Sequence, residues 1–169
     1  MPRLVTIAVA ALAAALAVSA AAQTAGAPPP PAYRPGLGDL MTATVQPRHA
    51  KLGLAGRQNN WTYAAYELHQ LDEAFDRLSV QWPQWQRVRI AELVETMIRE
   101  PIDGLGEAIE AHDEVRFAAA YARLTDACNA CHQAAKRAFV VITEPRPGAF
   151  PDQDLAPKDF APKDFAPKP

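Results

Sequence analysis

Cys128-Asn129-Ala130-Cys131-His132 sets two thiols one helical turn apart and an imidazole directly after the second. Thiols at that spacing can each add to a haem vinyl group as a thioether, and the next residue's imidazole then stands over the iron as its axial ligand. The motif therefore predicts one covalently held haem c, attached at Cys128 and Cys131 and ligated by His132. Covalent fixing lets a small domain keep a cofactor that burial alone would not retain. Three other chemistries use paired cysteines. A thioredoxin-like dithiol wants the pair at a helix start, where the N-terminus lowers a thiol pKa, whereas this pair closes a helical stretch. A zinc site wants four ligands, and Cys128, Cys131 and His132 offer three with no second pair elsewhere. A disulfide three residues apart closes no useful loop.

These residues must be positioned by a rather short domain. Thirteen of the sixteen prolines fall in residues 1–35 and 145–169, leaving 109 residues in 36–144 with eleven Lys and Arg against fifteen Asp and Glu. That acidic balance excludes a nucleic-acid binder working through a basic footprint. Apolar residues recur at steps of three and four, with no convincing period of two, which predicts an all-α chain. Segment A, about Leu37 to Ala55, carries Leu37, Leu40, Met41, Val45 and Leu52, with Pro47 as an expected kink and Gly53 and Gly56 weakening its end. In segment B, Trp61, Ala64, Leu68, Leu71, Phe75, Leu78 and Trp82 form one seam that stops at Pro83. Segment C, about Trp85 to Ala111, carries Val94, Ile98, Ile102, Leu105 and Ile109, and Pro101, Gly104 and Gly106 should kink or break it. Segment D opens on Asp113 as N-cap and runs Phe117, Tyr121, Leu124, Cys128, Cys131. Four such segments on short links predict an antiparallel up-down-up-down four-helix bundle.

The flanks read differently. Residues 1–22 carry Arg3, an apolar stretch and Ala20-Ala21-Ala22, which reads as a signal peptide for export to the periplasm, with no integral membrane segment once it is removed. Residues 23–35 form a Pro-rich linker. Residues 145–169 hold DFAPK twice after a degenerate DLAPK, a tail expected to stay disordered.

Helix count together with the C-terminal attachment motif makes the stretch from Leu37 to Phe139 resemble the class II c-type cytochromes, the cytochrome c′ and cytochrome c-556 group. That resemblance implies a basic residue four positions after the axial histidine, where Lys136 stands, and homodimers formed through the first two helices in some members. It also implies that the first-helix position facing the iron is often apolar, leaving the metal five-coordinate. The Val140-Val141-Ile142 extension, the Pro/Lys tail and the kinked segments A and C depart from the group's pattern.

Function then turns on the sixth iron position. His132 lies 19 residues from the start of segment D, about 28 Å at 1.5 Å per residue. Counted from the A–B turn, Met41 falls within about one turn of that depth and is the favoured ligand, with an open site and His49 as alternatives. His49, seven residues from the turn, should sit about 18 Å from the iron, and His69 lies off the seam of B. His49, His69 and His112 are otherwise surface or hydrogen-bonded histidines. Trp61, Trp82 and Trp85 read as core or pocket packing, and Lys136 and Arg137 as partners for a haem propionate or as a solvated helix end. A His132/Met41 iron makes a one-electron carrier for a redox partner protein or a quinol/cytochrome chain component, docked through the domain's acidic charge. An open face makes a binder of nitric oxide or carbon monoxide. An enzyme is the weakest reading, since no His/Arg pair stands ready to activate peroxide.

Overall fold

Helical periodicity carries through into the computed structural model of the chain, which describes residues 33–148. The expectations for the signal peptide, most of the linker and the repeat tail fall outside those residues. Among the described residues the chain is helical, with no strand beyond an isolated bridge between Trp85 and Val88. No helix among them is long and apolar enough to cross a membrane.

Segment A comprises α1 (Leu37–Leu40), a π-helical turn (Met41–Val45) and α2 (Gln46–Arg57). Pro47 does not break it. The proline ring and its missing N–H disturb the turn before it, and here that turn is wound wide: the Gln46 N–H reaches back five residues to the Met41 carbonyl. Gly53 and Gly56 do not weaken the end either. Both are buried inside α2, and a Cβ there would come within 2.4 Å of the Tyr121 ring and 2.0 Å of the Phe117 ring. They are glycines so that two aromatic rings can lie against the backbone of α2.

Helix α3 (Trp61–Gln81) starts at Asn60, whose side-chain oxygen accepts from the Tyr63 N–H at 3.1 Å. Its seam is buried as expected from Ala64 through Leu78, while Trp61 and Trp82 at the two ends stay partly exposed. One residue departs from the pattern: Glu67 is fully buried, its carboxylate 3.1 Å from the Arg48 guanidinium of α2.

Segment C is shorter than expected and divided. Residues 82–89 are not helical, and the remainder forms α4 (Ile90–Met97) and α5 (Arg99–Glu110), interrupted at Ile98. Pro101 explains the interruption, since it has no N–H to offer the Met97 carbonyl four residues back. Gly104 and Gly106 lie inside α5 without breaking it.

Helix α6 (Glu114–Ala134) opens as expected, with the Asp113 carboxylate accepting from the Arg116 N–H at 2.9 Å. Lys136 then takes a left-handed conformation at φ 59° and the chain turns back along the helix. Helix α2 packs on α3, α3 on α5, α5 on α6 and α6 on α2. The three-residue links at 58–60 and 111–113 make α2/α3 and α5/α6 antiparallel neighbours.

Candidate haem-binding site

The last turns of α6 bring Cys128, Cys131 and His132 to the wall of a cavity that Met41, Val45 and His49 line from segment A. Phe75 of α3, Ile98 of the C break, and Val140 and Ile142 beyond α6 add to the apolar lining. The cavity measures about 110 Å³ and is partly open to solvent. An adjoining lobe shares Met41, Phe75, Cys131 and His132 with it and extends to Trp85 and Arg137. Met41 opens the π-helical turn, a distortion that recurs at functional sites.

The environment of the thiols separates the possible chemistries. Burial, helped by neighbouring Cys131, pushes the Cys128 thiol up to about 12, and burial raises Cys131 as well. Both sit at the C-terminal end of α6, where the helix dipole opposes a thiolate. A redox dithiol needs the reverse. Among the described residues, no three His, Cys, Asp or Glu side chains converge on a point able to hold a metal ion by themselves.

His132 is oriented by the chain that follows it. Its Nδ1 lies 2.9 Å from the Val140 carbonyl oxygen. A carbonyl only accepts, so Nδ1 carries the proton and Nε2 keeps its lone pair. Ligating histidines are commonly held in this way, with one ring nitrogen donating to a carbonyl and the other free for the metal.

Comparison with protein-family models, curated proteins and solved structures finds no match. The site is thus read from its own geometry.

His49 is one of the hydrogen-bonded histidines that the sequence allowed for. It is 95% buried, as its 5% residual exposure records, and lines the same cavity as Met41 and His132. The depth count separated them because it treated the pocket as a single level across straight helices, whereas the cavity runs along segment A from Met41 to His49. His49 is nevertheless engaged at both nitrogens: Nε2 is 3.1 Å from Thr125 Oγ1, and Nδ1 is 3.0 Å from the Tyr121 hydroxyl. Thr125 donates its proton to the Tyr121 carbonyl at 3.0 Å, so its oxygen can only accept from His49 Nε2–H. Nδ1 must then accept from Tyr121, which shares its proton with the His49 carbonyl at 2.8 Å. Burial holds the ring neutral by lowering its pKa to about 4. Ligating a metal would cost His49 one of these bonds.

The other named residues divide by place. His69 is exposed and pairs with Glu73 at 3.3 Å. His112 stacks on Trp61, 5.7 Å between ring centroids, and Phe117 meets Trp61 edge-on, so this tryptophan serves the packing between the starts of α3 and α6 and not the cavity. The Trp82 indole donates to the Pro35 carbonyl at 3.0 Å. Trp85 lines the adjoining lobe under the Arg137 guanidinium, 4.5 Å from its ring. Arg137 thus points a cation into the lobe, while Lys136 is exposed. Sequence reasoning missed Val140 and Ile142 as cavity walls. Phe139-Val140-Val141-Ile142 is apolar throughout, so its pattern singles out neither of them.

Proposed function

We propose that the chain is a periplasmic c-type cytochrome of the class II kind, a four-helix bundle carrying one haem c on Cys128 and Cys131 with His132 and Met41 as iron ligands. The ring of contacts from α2 through α3, α5 and α6 back to α2 supports the bundle. The observation that carries the reading is the convergence of Cys128, Cys131, His132 and Met41 on one predominantly apolar cavity. The residues fit the group in three further respects. The His132 Nε2 lone pair is left free by the Val140 bond. The cavity wall is predominantly apolar, as a macrocycle requires. Arg137 offers a cation to an acidic substituent at the rim of the adjoining lobe.

When bound, the haem supplies one-electron exchange between ferric and ferrous iron. The chain's own part is to hold and exclude. Cys128 and Cys131 fix the group, His132 ligates through Nε2, and Met41 offers a thioether from the opposite helix. Val45, Phe75 and Ile98 keep water from the site. No residue is assigned a catalytic role. The partner is a redox protein or a quinol/cytochrome chain component.

Met41→Ala tests the carrier reading. The oxidised parent should show a methionine-sulfur-to-iron charge-transfer band that the variant lacks, and only the variant should bind carbon monoxide readily. A parent that is already high-spin, five-coordinate and avid for carbon monoxide would establish an open site and a gas-binding role instead.

A further inference from the structure

The segment after α6 is tied back to the attachment motif at a residue the motif leaves unspecified. Asn129 Nδ2 donates to the Ile142 carbonyl at 2.9 Å, and the Ile142 N–H donates to Asn129 Oδ1 at 2.8 Å. The amide's orientation is fixed, because the backbone N–H can only donate and the carbonyl only accept. Two residues earlier the Val140 carbonyl meets His132 Nδ1. Asn129 and His132 share one face of α6, and residues 140–142 run back along it as a strap. Beyond them, Arg57 holds Glu144 at 2.8 Å and donates to the Pro145 carbonyl. Phe139 and Val141, the outward residues, are 79% and 68% exposed.

The Val140 N–H donates to the Arg137 carbonyl at 2.8 Å and closes the turn after α6, but past Val140 the segment has no sheet partner, and a one-residue slip there would turn the Val140 carbonyl away from the imidazole. We propose that Asn129 is a positioning residue for the axial histidine: its paired bonds to Ile142 fix the strap's register and thereby hold the Val140 carbonyl on His132 Nδ1. This rests on the reading of His132 as an iron ligand. A carbonyl on Nδ1–H raises the basicity of Nε2, which favours ferric iron and lowers the reduction potential.

The test is Asn129→Leu, with Ile142→Pro as an independent variant that removes the N–H accepted by Asn129 while leaving the asparagine in place. Two measurements apply. The first is the pair of ¹⁵N shifts of His132 in the full chain without haem, its cysteines kept reduced: the parent should be the Nδ1–H tautomer, and both variants should shift toward Nε2–H. The second is the midpoint potential of the haem-loaded protein, which should rise in both variants with the two thioethers intact. Unchanged tautomer and potential in a folded Asn129→Leu or Ile142→Pro chain would overturn the assignment. A chain that never takes up haem would defeat the proposed function, and the tautomer measurement would still decide the role of Asn129.

Discussion

His49 is the residue whose surroundings most constrain the site. Its ring accepts from Tyr121 and donates to Thr125, which leaves it neutral in the fold with a pKa near 4 against an ordinary 6.5. Because the folded value is the lower one, the unfolded chain binds the extra proton between those values and stability falls as pH falls through them. The shift corresponds to about 3 kcal/mol lost between pH 7 and pH 4. No charged side chain is bonded to the ring; its two side-chain partners are hydroxyls, and burial raises the Tyr121 pKa so that it keeps its proton. His49→Gln should therefore flatten the acid limb of a denaturant-unfolding series by about that amount, and an acid limb as steep as the parent's would show that other groups carry it. That Cys128, Cys131 and His132 line one cavity was legible from their spacing alone. The engagement of His49 was not, because its partners lie 72 and 76 residues away and nothing local distinguishes a satisfied buried histidine from a surface one.

At the scale of the elements, the contact of α2 with α6 is set by two glycines. Gly56→Ala should destabilise the fold by about 1–3 kcal/mol, since the Phe117 ring must shift to admit the methyl group. That outweighs the roughly 1 kcal/mol that alanine contributes to helix propensity. Gly38→Ala, with open space around it, should be neutral or stabilising, and urea midpoints of the two variants that move together would refute the packing argument. Between α2 and α3, Arg48→Met leaves the fully buried Glu67 carboxylate without its cation. The expected cost is about 3 kcal/mol, at the low end for a broken buried pair because the arginine is partly exposed. Adding Glu67→Met should recover most of it, and a double variant no more stable than the single one would contradict the pairing. Helix positions followed from apolar spacing, and both N-caps from Asn60 and Asp113. Pro47 and the α2 glycines read as disruptive because their compensation is tertiary: a widened turn in one case, two rings from α6 in the other. Pro101 did act as read, though the break falls three residues before it, next to the Met97 carbonyl that the proline cannot serve.

For the whole molecule, 36–144 is a short chain to close helices around a cavity, and the account makes the cofactor part of the core. A group bound only by the folded state adds to its stability. The strap belongs at this scale too, because Val140, Ile142 and Glu144 tie the end of the domain to α6 and to Arg57 at the close of α2. Intact mass of the chain produced in a host able to attach haem, compared with Cys128→Ser/Cys131→Ser, decides whether the motif holds haem covalently. The parent should be heavier by one haem that survives extraction by acidic solvent, with neither cysteine open to alkylation, and the double variant should stand at the mass of its bare chain. A parent at its own bare mass with two alkylatable thiols would contradict covalent attachment.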